Sequence, residues 1–311
     1  MHALVLGGNG FIGSYIVDAL LAAGNKVRVF GRAPGNSDSL LPSVEYIYGE
    51  FSDVARLSEA LNDIDVVYHS ISTTVPSSSN LSPVEDINGN LINTVKLLEC
   101  MRQQSVPRIV YLSSGGTVYG IPDSSPVSEL HPLRPISSYG VVKVAVENYL
   151  HMFHELHDIT YVALRVSNPY GAGQSNTGLQ GVIGTYINRL NEGLNIEVWG
   201  TGEIVRDFVH VQDIALLCVR AGESDAVGVF NAGFGKGTSI LNIIDIISQY
   251  LDRNVEPVFK SGRSFDVPHI VLDISKAQAE FDWSPTITLQ NGIGHTMDRV
   301  FKNSWVKLVA A

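Results

Sequence analysis

The chain has 311 residues, a net charge of −10 and two cysteines. This length can bury a large core in one or two domains. The acidic balance argues against nucleic acid as a main partner, although local arginines can still bind an anionic substrate. Cys100 and Cys218 lie in apolar helical stretches, so we expect buried thiols. No signal peptide precedes the first apolar run and no run is long enough to span a bilayer, so we expect a cytoplasmic protein without membrane insertion.

The N-terminal segment predicts a strand, a glycine turn and a helix. The apolar run 3–6 ends in glycines at positions 7, 10 and 13, and the amphipathic stretch 14–23 follows at once. Glycines at this spacing let the backbone approach a pyrophosphate, and the helix N-terminus favours the anion. We therefore predict a dinucleotide site formed by Gly7, Gly10, Phe11, Ile12 and Gly13.

The first half of the chain alternates apolar runs with helical patterns. Further β-type runs lie at 27–30, 44–48, 65–69, 108–112 and 161–166. This alternation predicts an α/β fold, a Rossmann-type doubly wound parallel sheet with helices on both faces. We expect a dinucleotide-binding domain over residues 1–166 and a smaller α/β substrate domain over 167–311. The boundary is soft because the chain can cross back to the sheet.

The end of the second strand bears on the choice of dinucleotide. Gly31 supplies no carboxylate for the ribose hydroxyls of NAD, and Arg32 can pair with the 2′-phosphate of NADP. We expect NAD or NADP, and Arg32 favours NADP. The alternative is that Arg32 stacks on adenine or points to solvent.

Hydroxyl side chains follow the strand that ends at Leu112. The block Ser-Ser-Gly-Gly-Thr-Val-Tyr-Gly at 113–120 lies where the carboxyl end of a strand faces the cofactor crevice. Ser114 and Thr117 are candidates to hydrogen-bond a reacting oxygen, and the alternative is that they cap backbone groups in a turn.

Tyr139 and Lys143 lie four residues apart in a helical pattern. Residues at this spacing share a face of a helix. A nearby ammonium and an oxidised nicotinamide are expected to lower the pKa of the phenol, so that it can serve as an acid or base during hydride transfer. We expect both residues to be catalytic and to contact the cofactor.

These motifs resemble the extended short-chain dehydrogenases/reductases, and within them the nucleotide-sugar epimerases and dehydratases. The 113–120 block is similar to the active-site block of UDP-galactose 4-epimerases. The resemblance implies that a nucleotide diphosphate sugar is the ligand, with two arginines on separate loops chelating its phosphates. The substrate-binding residues that it implies are Asn168, Arg206, Arg263 and Asp266.

One position departs from the family pattern. Gly115 stands where the epimerases place a catalytic Ser or Thr. Its task must pass to Ser114, Thr117 or a water molecule. No His, Cys or carboxylate spacing indicates a metal site.

The resemblance leads to a 4-epimerase that acts on a UDP-hexose or UDP-N-acetylhexosamine through a 4-keto intermediate. The alternative is an NAD(P)H-dependent reductase of a nucleotide 4-keto-6-deoxy sugar, which Arg32 and Gly115 favour. A 4,6-dehydratase would need an acid and a base to remove water across C5 and C6, and the 113–120 block of this chain offers no carboxylate. A cofactor-sensing regulator would not need the Tyr139–Lys143 pair. In related enzymes two helices pair between subunits, so we also expect a homodimer built on helices 83–102 and 139–157.

Overall fold

A seven-stranded sheet forms the centre of the fold. The computed structural model describes residues 1–33, 40–174, 181–262 and 267–309, with side chains up to residue 301. The strands of the sheet are β1 (His2–Leu6), β2 (Lys26–Gly31), β3 (Val44–Tyr48), β4 (Val66–His69), β5 (Arg108–Ser114), β6 (Thr160–Val166) and β10 (Gly228–Ala232). They pair in the order β10-β6-β5-β4-β1-β2-β3, and every pairing is parallel.

Helices cover both faces of this sheet. Side chains alternate across a strand, so Ala3 and Val5 of β1 join one apolar cluster while Leu4 and Leu6 join the other. The helices of the first cluster are α1 (Phe11–Ala22) and α8 (Val211–Glu223), and those of the second are α2 (Val54–Ala60), α5 (Asn93–Gln103) and α6 (Ser138–His157). The predicted doubly wound parallel sheet is confirmed.

A smaller unit is built mainly from the second half of the chain. Its central strand pairs with three others, and a third apolar cluster packs its helices together. The strands are β7 (Asn168–Tyr170), β8 (Glu197–Trp199), β9 (Val205–His210), β11 (Gly237–Ser239), β12 (Val258–Lys260) and β13 (His269–Ile270). Its helices are α7 (Val182–Asn191), α9 (Ile240–Leu251) and α11 (Leu289–Val309), whereas α10 (Ser275–Phe281) packs on β10 and α8 in the first apolar cluster. Strand β10 returns to the large sheet beside β6, and the domain boundary at residue 167 stays a prediction.

The long helix predicted over 83–102 is divided. It follows a short helix α3 (Pro76–Ser79) and consists of α4 (Pro83–Asp86), a π-helical segment (Ile87–Ile92) and α5. The π-helical segment lies against the loop after β4, where Asn90 accepts a hydrogen bond from the Thr73 backbone N–H. Gly89 also packs on Thr73, where a Cβ would overlap the threonine hydroxyl. The contacts of Gly89 and Asn90 with Thr73 occur where the helix widens into its π-helical turn. Apolar spacing alone does not reveal such a turn.

The two helices expected to pair between subunits carry apolar stripes in the sequence, formed by Leu91, Val95 and Leu98 and by Val142, Val146, Tyr149 and Phe153. Of these residues, Leu98, Val142, Val146 and Phe153 are buried within the chain itself, whereas Tyr149 is exposed. Besides Tyr149, the exposed apolar side chains of these helices are Val84, Ile87, Ile92, Val141, Met152 and Leu156.

Both cysteines are buried free thiols, as predicted, Cys100 in α5 and Cys218 in α8. Within the described part of the chain, none of the helices combines the length and the apolar character that crossing a bilayer requires.

Candidate active site

A tight glycine turn joins β1 to α1. Gly7 adopts a φ of 81°, and the Gly10 N–H donates to the Gly7 carbonyl oxygen over 2.8 Å. A Cβ on Gly13 would overlap that carbonyl oxygen, so only glycine allows the helix to approach the turn this closely. Gly10 is exposed and has no side chain to cap the helix. The first backbone N–H groups of α1 therefore face a surface that suits an anion.

Gly31 and Arg32 lie beside this turn, at the end of β2. Gly31 is buried, and a Cβ built on it would be 3.8 Å from the Gly7 Cα, which is ordinary contact. Arg32 is exposed, and its carbonyl oxygen accepts a hydrogen bond from the Asn9 side chain. The geometry leaves room for a larger side chain at position 31.

A cavity of about 430 Å³ lies at the carboxyl ends of the sheet strands, between the start of α1 and the smaller unit. This is the edge at which ligands bind in such sheets. A more open cavity of about 630 Å³ lies at the opposite edge, next to Asp65 and Arg108, and none of the predicted site residues lines it. Six of the predicted site residues line the first cavity: Phe11, Ile12, Ser114, Thr117, Asn168 and Arg206.

Tyr139 and Lys143 lie on the first turns of α6, next to the turn that lines this cavity. Lys143 is buried, and its ammonium donates to the Leu112 carbonyl oxygen over 2.7 Å. The Lys143 Nζ is 5.3 Å from the centre of the Tyr139 ring. A Cβ on Gly140 would lie 2.8 Å from the Thr117 carbonyl oxygen, so the helix packs directly on the turn that lines the cavity. The structure thus brings the predicted pair together beside the hydroxyl block.

Burial controls the pKa of both groups. It raises the pKa of Tyr139 to about 12, the Asp86 carboxylate raises it further, and a hydrogen bond with Ser72 lowers it. Burial lowers the pKa of Lys143 to about 8, although the carboxylates of Glu147 and Asp86 raise it. In the protein alone the phenol pKa is therefore raised, not lowered by Lys143 as expected, because desolvation is the larger effect. The lowering expected from the nicotinamide stays a prediction.

The block after β5 directs its side chains to different places. Ser113 is buried and donates to Glu147 over 2.5 Å. A Cβ on Gly115 would lie 2.5 Å from a Leu272 methyl carbon and 2.8 Å from the Arg165 carbonyl oxygen. Position 115 therefore faces packed core, where a hydroxyl side chain does not fit.

Ser114 and Thr117 are the hydroxyl residues of this block that line the cavity. The Thr117 Oγ1 is buried and has no hydrogen-bond partner among the described residues. An unsatisfied buried hydroxyl at a cavity wall is a candidate for bonding to a ligand.

Arg206 and Asp207 point to opposite sides of β9. Arg206 lines the cavity, and its guanidinium donates to the Val205 carbonyl oxygen over 2.9 Å. The Asp207 carboxylate is buried and accepts backbone N–H groups of Phe234 and Gly235. Because side chains alternate along a strand, the Arg206 side chain faces the cavity while the Asp207 carboxylate faces the interior.

Other predicted substrate contacts are only partly visible. Asn168 lines the cavity and donates to the Asp207 carbonyl oxygen over 3.0 Å. Arg263 and Asp266 lie outside the described residues. Sequence reasoning missed Trp199, whose half-exposed indole lines the cavity just before a glycine turn at Gly200. An aromatic residue before a glycine in a predicted strand was the available signal.

Sequence reasoning also missed the polar segment after β4. Residues 70–80 are rich in serine and threonine, and Asp86 follows in α4. Ser72 lowers the pKa of Tyr139 through hydrogen bonding, and Asp86 is fully buried. A run of hydroxyl residues at the carboxyl end of a predicted strand was the signal. No group of three metal-ligating side chains occurs in the part of the chain that the structure describes.

Comparison with known proteins places these features in one family. The model of the NAD dependent epimerase/dehydratase family matches residues 3–233. A putative UDP-glucose 4-epimerase of Methanocaldococcus jannaschii is 36% identical over 306 residues, which cover 97% of this chain and 99% of that protein. A dTDP-4-dehydro-6-deoxyglucose reductase of Escherichia coli is 32% identical over 301 residues, with 93% and 94% covered.

A solved structure agrees over nearly the whole chain. The UDP-glucose 4-epimerase of Thermotoga maritima, crystallised with UDP-glucose, superposes with a TM-score of 0.92 at 30% identity. The match covers 98% of this chain and 100% of the other. The chain belongs to the NAD dependent epimerase/dehydratase family, in agreement with its glycine turn and its Tyr139–Lys143 pair.

Proposed function

We propose that this chain is an NAD(P)-dependent nucleotide-sugar 4-epimerase, acting at C4 of a UDP-hexose or UDP-N-acetylhexosamine through a 4-keto intermediate. One observation carries the proposal. The Tyr139–Lys143 pair packs on a turn whose hydroxyls line the same cavity as the start of α1 and Arg206. A proton-transfer group, a dinucleotide turn and a phosphate-binding cation are thus grouped at one end of the sheet.

The glycine turn fits a dinucleotide. Gly10 and Gly13 leave the backbone bare where a pyrophosphate approaches the helix N-terminus, and Phe11 and Ile12 line the adjoining cavity. When bound, the nicotinamide would accept the hydride from C4 and return it. NAD is the cofactor that the family implies, and Arg32 supports the binding of NADP as well.

Tyr139 is the residue proposed to move the hydroxyl proton. Its phenolate takes the proton of the C4 hydroxyl as the 4-keto sugar forms, and its phenol returns a proton to the C4 oxygen afterwards. Lys143 is anchored by the Leu112 carbonyl and presents an ammonium close to the ring, which favours the phenolate once water is excluded. Thr117 or Ser114 donates a hydrogen bond to the C4 oxygen. Thr117 is the better candidate, because its hydroxyl has no hydrogen-bond partner among the described residues.

Arg206 and Asn168 are proposed to bind the diphosphate side of the substrate. Both line the cavity on strands β9 and β7, which are paired side by side. A guanidinium forms charge-assisted hydrogen bonds with phosphate oxygens. Arg263 and Asp266 join this set through the family resemblance alone.

A second candidate function is reduction of a nucleotide 4-keto-6-deoxy sugar with NAD(P)H. The similarity to the reductase of Escherichia coli favours it. It would use Tyr139 in the opposite direction only, as a proton donor to the 4-keto oxygen, and would consume one reduced cofactor in each turnover.

Substrate incubation separates the two functions. The purified protein is incubated with UDP-glucose, UDP-N-acetylglucosamine or a dTDP-4-keto-6-deoxy sugar, each with and without NADPH. We expect a C4 epimer from a UDP sugar, with no net change in the absorbance of reduced nicotinamide. Stoichiometric NADPH consumption with the keto sugar, and no epimer from either UDP sugar, would contradict the proposal and support the reductase.

A further inference from the structure

The buried carboxylate of Asp86 lies next to the catalytic helix. It is fully buried and occupies the last position of α4, immediately before the π-helical segment. Its Oδ1 accepts the Thr74 hydroxyl over 2.7 Å and the Asn90 amide over 2.8 Å. Its Oδ2 accepts the Ser138 hydroxyl over 2.7 Å. One carboxylate therefore joins the loop after β4, the π-helical segment and the first residue of α6.

These bonds fasten the loop after β4 to the start of the catalytic helix. Thr74 donates to the Asp86 carboxylate, and the Ser72 hydroxyl donates to the Thr74 carbonyl oxygen over 2.9 Å. Ser138, which also donates to Asp86, is the residue directly before Tyr139. Asp86 thus links the loop that carries Ser72 to the residue from which the Tyr139 turn of α6 begins.

The segment of residues 72–80 also caps the N-terminus of the catalytic helix α6. The Ser138 N–H donates to the Asn80 side chain over 2.8 Å, and the Tyr139 N–H donates to the Ser79 hydroxyl over 3.1 Å. Two of the first backbone donors of α6 are satisfied by residues distant in sequence. The position of Tyr139 therefore depends on the docking of residues 72–80, which Asp86 fastens.

We propose that Asp86 is a positioning residue for the epimerase reaction, fastening residues 72–80 to the first residue of α6 and placing a negative charge near the Tyr139–Lys143 pair. This inference rests on the proposed function for its kinetic test only. None of the hydrogen bonds described for Asp86 involves Arg206 or Asn168, the described residues proposed to bind the diphosphate.

Charged and titratable groups lie around the Tyr139–Lys143 pair. The Lys143 ammonium lies 4.6 Å from the centre of the Tyr111 ring of β5, and its charge acts on His69 of β4. The carboxylates of Glu147 on α6 and Asp86 on α4 act on Lys143 in turn. The Asp86 carboxylate raises the pKa of Tyr139, of Lys143 and of Tyr111. Removing its charge lowers the pKa of the phenol, so activity that depends on the phenolate shifts toward lower pH.

The test uses Asp86→Asn in the full chain, with Glu85→Gln as the matched control. Glu85 is the neighbouring carboxylate and is exposed. We expect Asp86→Asn to lower kcat by about ten- to hundredfold with KM nearly unchanged, because misplacement of the phenol affects the transition state more than substrate binding. The ascending limb of the kcat–pH profile should move to lower pH in Asp86→Asn and stay in place in Glu85→Gln.

Two further variants separate geometry from charge. Thr74→Val and Ser138→Ala each remove one hydrogen bond to Asp86 and keep its carboxylate. They should reduce kcat by less than Asp86→Asn does and leave the pH profile in place. They also keep the inference falsifiable if Asp86→Asn does not fold.

Hydrogen exchange gives a readout that does not depend on activity. In Asp86→Asn, amides of residues 72–80 and of the first turn of α6 should exchange faster than in the wild type, while those of β1 should not change. Failure of the wild type to turn over any sugar nucleotide would refute the proposed function and leave this measurement standing. Unchanged exchange in both segments, an unmoved pH profile in Asp86→Asn, or an equal shift in Glu85→Gln would overturn the role of Asp86.

Discussion

At the scale of single residues, Arg206 is the side chain on which the diphosphate proposal depends. It lines the cavity, whereas the neighbouring Asp207 carboxylate is buried and bonded to backbone N–H groups. A charge-assisted hydrogen bond contributes roughly 1.5–3 kcal/mol, so Arg206→Ala should weaken UDP binding by about ten- to hundredfold and leave cofactor binding nearly unchanged. Calorimetric titration with UDP measures this. Arg253→Ala, at an exposed arginine, is the control, and an equal effect there would refute a specific role.

Gly31 and Arg32 are predicted to decide between the two dinucleotides. A Cβ at position 31 would meet only ordinary contact with Gly7, so the backbone accepts the side-chain branch that Gly31→Asp introduces. The new carboxylate should repel a 2′-phosphate and accept the ribose 2′-hydroxyl. We expect the wild type to bind NADP at least as tightly as NAD and Gly31→Asp to reverse the order, measured as dissociation constants for both. Arg32→Ala should lose NADP affinity alone. Unchanged ratios in both variants would count against the 2′-phosphate contact.

Single residues also show where sequence reasoning stops. The glycine turn and the Tyr139–Lys143 spacing follow from local patterns, so their positions were predictable. Asp86 acts on Ser138, which lies 52 residues further along the chain, and no periodicity reports such a contact. At Gly115 the family resemblance raised the question of a missing hydroxyl, and the packing of Leu272 against that position supplies the physical reason.

At the scale of elements, a buried ion pair fastens the catalytic helix α6 to β6. Arg165 donates to Glu147 over 2.7 Å, and both side chains are 5% exposed. Glu147→Leu would leave the guanidinium without its partner, so the free energy of unfolding should fall by about 3–5 kcal/mol. Urea denaturation measures the loss, with the m-value unchanged. The double variant Glu147→Leu, Arg165→Met should be less destabilised than Glu147→Leu alone, because no unpaired charge remains. A single variant as stable as the wild type would show that the pair is dispensable.

The elements themselves were largely predictable, with an instructive exception. The strands of the large sheet up to β6 lie within a residue or two of the apolar runs, since buried parallel strands are apolar along their whole length. The helix expected over 83–102 is divided by a π-helical segment. Apolar spacing does not distinguish these two helix types over a single turn, and the contacts of Gly89 and Asn90 with Thr73 come from outside the helix.

At the scale of the whole molecule, we predict a homodimer whose interface lies on the outer face of the catalytic helix α6. Val141 is 52% exposed and Leu156 is 65% exposed on α6, and Ile87 and Ile92 are exposed on the adjoining segment. Several exposed apolar side chains on adjoining helices are typical of a protein interface. Sedimentation at micromolar concentration should give twice the chain mass of 33.7 kDa.

Disruption of that face gives the matched comparison. Leu156→Glu should shift the wild-type dimer to monomer, because a charge would be buried in the interface. Leu130 lies in the loop before α6 and is 94% exposed, so Leu130→Glu should leave the sedimentation mass of the protein unchanged. A wild-type monomer, or equal behaviour of the two variants, would contradict the prediction.

In the proposed reaction, Tyr139 relays a proton while the C4 hydrogen leaves and returns to the same carbon. The direct measurement follows a UDP sugar deuterated at C4 in ordinary water, with the product analysed by NMR. We expect an epimer that retains deuterium at C4, and a rate lowered by about 10²–10⁴-fold in Tyr139→Phe with cofactor binding intact. Loss of deuterium to solvent in the epimer, or a near-normal rate in Tyr139→Phe, would contradict it.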